Sequence, residues 1–261
     1  MSKTALVTGA SGGIGECFAR KLASEGWDLV LVARSEGKLR DLAEEFQEND
    51  GVKVTLIVED LGASGIAGKI YRRTRELGIH IDLLINNAGI GLSGELHTFY
   101  SQQLHQQLML NVVTPVELAH AYLPDMVSKG EGRIINVSSL GALTPMPFMS
   151  TYGASKAFLL SFSQAISKEY QDKGIKTLAL CPGPTTSAFF ERASIAENTF
   201  PTNLRTGEQV VETALAALES GKDQVIDGFQ NKLFAFLVRF VLPKKFMNAY
   251  AANKIKKGVL L

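Results

Sequence analysis

The chain has 261 residues, 46% of them hydrophobic and 20% charged, with a net charge of +1. That balance suits a globular core of enzyme size and gives no sign of nucleic-acid binding. Two cysteines, Cys17 and Cys181, make no disulfide framework, and no stretch reaches the roughly 18 apolar residues that span a bilayer, so a reducing, cytoplasmic setting is expected.

In chain order, Thr4–Thr8 is a short apolar strand, followed by Gly9-Ala-Ser-Gly-Gly-Ile-Gly15 and a helix over 16–25. Strand, glycine turn and helix are the context in which backbone N–H groups cradle a phosphate, here offering Gly9, Ser11, Gly13, Ile14 and Gly15. Gly9, Ser11 and Gly13 also match the nucleophile elbow of hydrolases, but with only eight residues upstream there is no room for the strand and loop an oxyanion hole needs. A second strand, Trp27–Ala33, ends 18 residues past Gly15, where an NAD site would place Asp or Glu to read the ribose. Here Ala33 is followed by Arg34 and Ser35, with Lys38 a turn on, which suits a 2′-phosphate and favours NADP(H), with NAD(H) the alternative.

The rhythm continues. A helix over 39–47 leads to a strand over 52–58 and then Asp60-Leu61; a helix over 66–77 leads to a buried strand over 81–85 and then Asn86-Asn87-Ala88-Gly89. A long helix is expected over 101–127, bent near Pro115, followed by strand 133–138, helix 152–172 and strand 175–180, which ends at Pro182-Gly183. Apolar strands alternating with helices predict an α/β fold: a doubly wound, mostly parallel sheet of Rossmann type, covered on both faces. The motif residues all fall at strand carboxyl ends, where such sheets bind ligands. The expected division is a dinucleotide-binding and catalytic domain over 1–228 and an extension over 229–261 packed on or beside it.

Tyr152 and Lys156 stand four apart on the helix that follows strand 133–138, so they share a face. A lysine ammonium beside a phenol favours phenolate, which makes a tyrosine useful as acid or base. The four histidines have no metal-ligand spacing, and no metal site is expected. Apolar residues at Leu143, Pro145, Met146, Pro147, Phe148 and Met149, and at Phe189, Phe190, Ile195 and Phe200, suit a hydrophobic substrate under a mobile lid. From Phe229 onward the chain carries seven Lys or Arg and no Asp or Glu, which leaves −6 on the rest. This tail reads either as a helix buried against the substrate pocket or a neighbouring subunit, the favoured reading, or as a peripheral membrane contact through 232–257.

Together, Thr8-Gly-Ala-Ser-Gly-Gly-Ile-Gly15, Asp60-Leu61, Asn86-Asn-Ala-Gly89, Asn111, Ser139, Tyr152-x-x-x-Lys156 and Pro182-Gly183 closely resemble the short-chain dehydrogenase/reductase family, in its single-domain branch of about this length. The resemblance implies that Tyr152 is the general acid/base, that Lys156 lowers its pKa and holds the nicotinamide ribose, and that Ser139 binds the substrate oxygen. It further implies that Asn111 positions a water behind Lys156, that Asp60 with Leu61 contacts adenine, and that Asn87, Ala88 and Gly89 line the adenosine ribose. After Pro182 and Gly183, Thr185, Thr186 and Ser187 compete to touch the nicotinamide carboxamide; Thr185 and Ser187 are preferred. Gly12 stands where some NADP-preferring members have a basic residue, which leaves Arg34 as the main phosphate ligand. The expected activity is hydride transfer between NADP(H) and a hydrophobic ketone or aldehyde, with a catalytically silent dinucleotide sensor as the alternative from another class. A homodimer or homotetramer through the two long helices is also implied.

Overall fold

The computed structural model describes residues 2–186, 189–196, 199, 204–240, 249, 252, 253, 255, 256 and 258. Seven strands form one sheet: β1 (Thr4–Thr8), β2 (Asp28–Ala33), β3 (Val54–Val58), β4 (Leu83–Asn86), β5 (Gly132–Val137), β6 (Ile175–Cys181) and β7 (Gln224–Ile226). Their order is β3-β2-β1-β4-β5-β6-β7, and every neighbouring pair is parallel. The sequence runs outward in both directions from the boundary between β1 and β4. Loops leaving those two strands therefore diverge to opposite faces and open a crevice at their carboxyl ends.

The helices are α1 (Gly13–Ser24), α2 (Glu36–Asn49), α3 (Ile66–Glu76), α4 (Ser101–Leu108), α5 (Thr114–Lys129), α6 (Ser150–Tyr170), α7 (Phe189–Arg192), α8 (Gly207–Glu219) and α9 (Phe229–Phe240). Alternation along the strands sorts side chains to the two faces. Ala5, Val7, Leu29, Leu31, Leu83 and Ile85 pack with Phe18 and Leu22 of α1, Leu39 and Phe46 of α2, and Val210 and Ala214 of α8. Leu6, Val30, Val32, Leu84 and Ile134 pack on the other side with Ile70 of α3, Leu118, Tyr122 and Met126 of α5, and Ile166 of α6. With both faces covered, the strands are apolar throughout rather than alternating with polar residues.

Two expectations change. The helix expected over 101–127, bent near Pro115, is interrupted by a π-turn at Met109–Val113 that ends two residues before Pro115. The sequence reading assigns no element to 207–219 or 224–226, which form α8 and β7.

Candidate active site

The first wall of the crevice is the turn from β1 into α1. Gly9 and Gly13 take positive φ, +67° and +59°, which glycine adopts without strain. A Cβ on Gly9 would stand 2.9 Å from Asn87 Nδ2 and 3.0 Å from Ala88 Cα, so this turn and the loop after β4 are pressed together. Thr8 holds them there. Its hydroxyl donates to the Ile85 carbonyl (3.1 Å) and accepts from the backbone N–H groups of Asn87 (2.9 Å) and Ala88 (3.1 Å). Asn87 Nδ2 in turn donates to the Thr8 carbonyl at 2.9 Å. Gly12 stands at the N-cap of α1 and gives no side-chain cap, so the N–H groups of Gly13, Ile14 and Gly15 have no partner within the helix. A glycine turn, N–H groups without partners in the helix and the positive end of a 12-residue helix fit a pyrophosphate. The Ile14 side chain packs, partly buried, against the core.

At the next strand end, Arg34 is exposed and Ser35 is the N-cap of α2, its side chain making no capping bond. Nearby Arg20 and Arg40 are paired with Glu16, Glu45 and Glu36, whereas no ion pair of Arg34 occurs among the described residues. Asp60 accepts the Gly62 N–H at 2.9 Å, and the Leu61 carbonyl accepts the Thr114 hydroxyl at 2.7 Å, which ties the loop after β3 to α5.

Ser139, Tyr152, Lys156 and Asn111 converge beyond β4, β5 and β6. Ser139 is the N-cap of a 3-10 turn at Leu140–Leu143 and accepts the Gly141 N–H at 3.0 Å. Its hydroxyl is also a hydrogen-bond neighbour of Tyr152. Ser138 faces away and donates to the Lys156 carbonyl at 2.8 Å, fixing α6 to the end of β5. Tyr152 and Lys156 are buried on one side of α6, with Lys156 Nζ 6.0 Å from the Tyr152 ring centre and donating to the Val137 carbonyl at 2.7 Å. Burial lowers the Lys156 pKa to about 8, against a partial upward pull from Cys181. Tyr152 departs from expectation. Burial raises its pKa above 10.0, and the influence opposing that rise is the bond to Ser139 rather than the lysine.

Asn111 lies in the π-turn and is 1% exposed. Its side chain accepts from the Ile90 N–H (3.0 Å), donates to the Ile90 carbonyl (2.9 Å) and donates to Ser155 Oγ (3.1 Å). Gly89 separates it from the lysine: a Cβ there would stand 3.2 Å from Lys156 Nζ and 3.3 Å from Asn111 Oδ1.

The cover comes from three segments. Tyr152, Met149, Ala193, Ile195 and Ile255 form a buried apolar cluster, flanked by Met146, Phe148 and Phe189. The Phe189 ring lies 5.2 Å from that of Tyr152. Ser93 donates to the Ala193 carbonyl, and the Gly94 N–H donates to the Phe148 carbonyl at 2.8 Å. Pro182 accepts the Leu140 N–H at 2.8 Å, and Gly183 lies directly against Asn231 of α9. Thr185 is buried, bonded to the Gly183 carbonyl at 3.0 Å and bridged to Arg205. Ser187, Phe200 and the Phe190 side chain lie outside the described residues. Two groups escape the sequence reading. Thr8 enters there only as a strand end and the first residue of the glycine motif, with no role of its own. Arg205 has no local signal, because its bidentate pairing with fully buried Asp227 (3.0 and 2.9 Å) joins residues 22 apart.

A parallel sheet with a glycine phosphate turn at its switch point, and a Ser–Tyr–Lys group beyond the neighbouring strands, defines a nucleotide-dependent oxidoreductase. The model of the short chain dehydrogenase family matches residues 3–198, and the chain belongs to that family. It is 31% identical over 222 residues to the very-long-chain 3-oxoacyl-CoA reductase of Rattus norvegicus, covering 82% of this chain and 68% of that protein. It is 36% identical over 184 residues to the 17-beta-hydroxysteroid dehydrogenase type 3 of Mus musculus, covering 70% of this chain and 60% of the relative. Among solved structures, a short-chain dehydrogenase from Sphingobium yanoikuyae in complex with NADPH superposes with a TM-score of 0.81 at 30% identity, covering 97% of this chain and 94% of that one. The bulky-bulky ketone specific alcohol dehydrogenase from Comamonas testosteroni gives 0.77 at 30% identity, covering 97% and 92%.

Proposed function

We propose that this protein interconverts a hydrophobic ketone and its alcohol with NADP(H), using Tyr152 as general acid in reduction and general base in oxidation. The observation that carries the proposal is the grouping of Ser139 with buried Tyr152 and Lys156 under an apolar cover. When bound, the nicotinamide supplies the hydride that reaches the carbonyl carbon. Charge then builds on the carbonyl oxygen. That oxygen takes its place between the hydroxyls of Ser139 and Tyr152 and accepts a bond from each. Ser139 keeps the Gly141 N–H as its donor, which leaves its own proton free to point at the substrate. Tyr152 gives up its proton, and Lys156, mostly protonated near neutral pH with a pKa of about 8, stabilises the phenolate from the same helix face. Asn111 acts as a positioning residue that fixes Ile90 and Ser155 around the lysine. The apolar cover keeps water from the reacting atoms and gives a bulky substrate its binding area.

Several cofactor contacts belong to this reading: N–H groups of the Gly9–Gly15 turn on the pyrophosphate, Asp60 and Leu61 by adenine, and Asn87 to Gly89 by the ribose. Pro182, Gly183 and Thr185 take the nicotinamide end. Arg34 with Ser35 at the start of α2 takes the 2′-phosphate, since a guanidinium with no ion-pair partner among the described residues and a helix N-terminus both favour that charge. The names of the relatives, one for a very-long-chain 3-oxoacyl-CoA and one for a hydroxysteroid, agree with a bulky apolar ketone.

The test is NADPH and NADH oxidation over a panel of 3-oxoacyl-CoA, steroid and aryl ketones, repeated with Arg34→Asp. The expected result is turnover with NADPH, and a loss of about tenfold to a hundredfold in NADPH affinity for the variant, with NADH affected far less. Equal losses with both cofactors would remove the phosphate role from Arg34; no turnover with either would favour the silent sensor.

A further inference from the structure

Helix α9 has two apolar sides. One faces the protein: Ala235 and Val238 are 6% and 9% exposed, and Asn231 lies against Gly183. The other carries Phe229, Leu233, Phe236 and Phe240, which are 80%, 49%, 55% and 68% exposed. The spacing i, i+4, i+7, i+11 puts all four on one stripe of the helix. The rings of Phe236 and Phe240 lie 5.3 Å apart, and exposed Lys232 flanks the stripe three residues after Phe229. Contiguous large apolar side chains turned outward on one helix mark an interaction surface rather than ordinary surface scatter.

Charge selects the partner. From Phe229 to the last residue there are seven Lys or Arg and no Asp or Glu, while the rest of the chain carries −6. A second copy pairing along α9 about a two-fold axis would bring together two segments that each carry +7. An anionic lipid surface complements both features, the aromatic stripe at the acyl boundary and the positive charge at the headgroups. We propose that the exposed stripe of α9 is a docking surface for an anionic bilayer, with the helix lying in its interface. No helix among the described residues is long and apolar enough to cross one.

Described residues of the tail beyond α9 reach the active-site cover. Ile255 of the tail is buried in the cluster around Tyr152, Lys256 Nζ sits 5.9 Å from the Phe148 ring centre, and the Ala196 N–H donates to the Gly258 carbonyl at 2.8 Å. Docking would thus hold the cover against the phase in which a hydrophobic ketone dissolves. The lipid contact itself stands apart from the proposed chemistry, and its test reads binding rather than turnover.

The full-length protein is floated with vesicles of phosphatidylcholine alone, and with vesicles containing about one-third phosphatidylserine, at low and at high salt. The expected result is binding to the anionic vesicles at least about tenfold above the neutral ones, weakened by salt. The double variant Leu233→Gln, Phe236→Gln should lose about tenfold of that binding while its thermal midpoint and its activity on a water-soluble ketone are unchanged. Equal, weak binding to both vesicle types would overturn the proposal, and so would undiminished binding by the variant. If wild type ignores vesicles and the variant instead dissociates a dimer, the stripe belongs to a second copy.

Discussion

Lys156 is an amine enclosed among strand ends, and its environment gives the site a pH signature. Its pKa is about 8 in the folded chain and 10.5 when exposed. Between those values the unfolded chain binds the extra proton, so the lysine's own contribution to folding stability should rise as pH climbs from about 8 towards 10. Cys17 and Cys181, whose thiols burial pushes up to about 11, oppose that rise above about pH 9, and Tyr152, raised above 10.0, opposes it further on. Measured by urea unfolding at about pH 7 and about pH 9.5, the ligand-free wild type should gain on the order of 2 kcal/mol relative to Lys156→Met, since the thiols are common to both. An equal slope in the two proteins would mean that the lysine is not desolvated. The pair itself is legible in the sequence, since a four-residue helical spacing survives folding unchanged. The burial that decides both pKa values is not, because it depends on Phe189, Met149 and Ile255 arriving from distant parts of the chain. For the same reason the sequence suggests that the lysine tunes the phenol, whereas in the folded chain burial dominates and Ser139 opposes it.

Strands that end in function are easy to read. β1, β2, β4, β5 and β6 are apolar runs closed by Gly, Arg, Asn, Ser or Pro, and they lie within about two residues of where periodicity places them. The π-turn at Met109–Val113 leaves no such mark: an extra residue in a helical turn changes neither composition nor period enough to register. β7 is three residues long, too short for a period to show. The 12 residues of α9 show their apolar character in sequence but not which side is covered. Between these elements, the pair of Arg205 with Asp227 fastens the far end of the segment after β6 to the end of β7, with Thr213 donating to the same carboxylate at 2.7 Å. Asp227 is fully buried while the Arg205 side chain is 35% exposed. Arg205→Ala should therefore destabilise by about 2 kcal/mol, below the usual cost of breaking a fully enclosed pair because water screens the arginine. A urea midpoint indistinguishable from wild type would show that the carboxylate finds other compensation.

Seen whole, the molecule is a sheet with the glycine turn on one half and the Ser139–Tyr152–Lys156 group on the other, meeting at the boundary between β1 and β4; the proposed function gives phosphate binding to the first and proton transfer to the second. Thr8 and Asn87 join the halves by four hydrogen bonds at 3.1 Å or less. The cover over Tyr152 then ties in the 140s loop, the 189–195 segment and the tail. The fold follows from the alternation of apolar strands with helices, and most candidate site residues follow from their position at strand ends. The substrate does not, because the cover is made of side chains whose meeting no local pattern encodes. The decisive experiment compares wild type with Tyr152→Phe, following NADPH oxidation with a bulky ketone and, separately, NADPH binding by fluorescence. The account predicts that the variant binds NADPH within about threefold of wild type and reduces the ketone about a hundredfold to ten-thousandfold more slowly. A variant that binds NADPH and turns over as fast as wild type would contradict it.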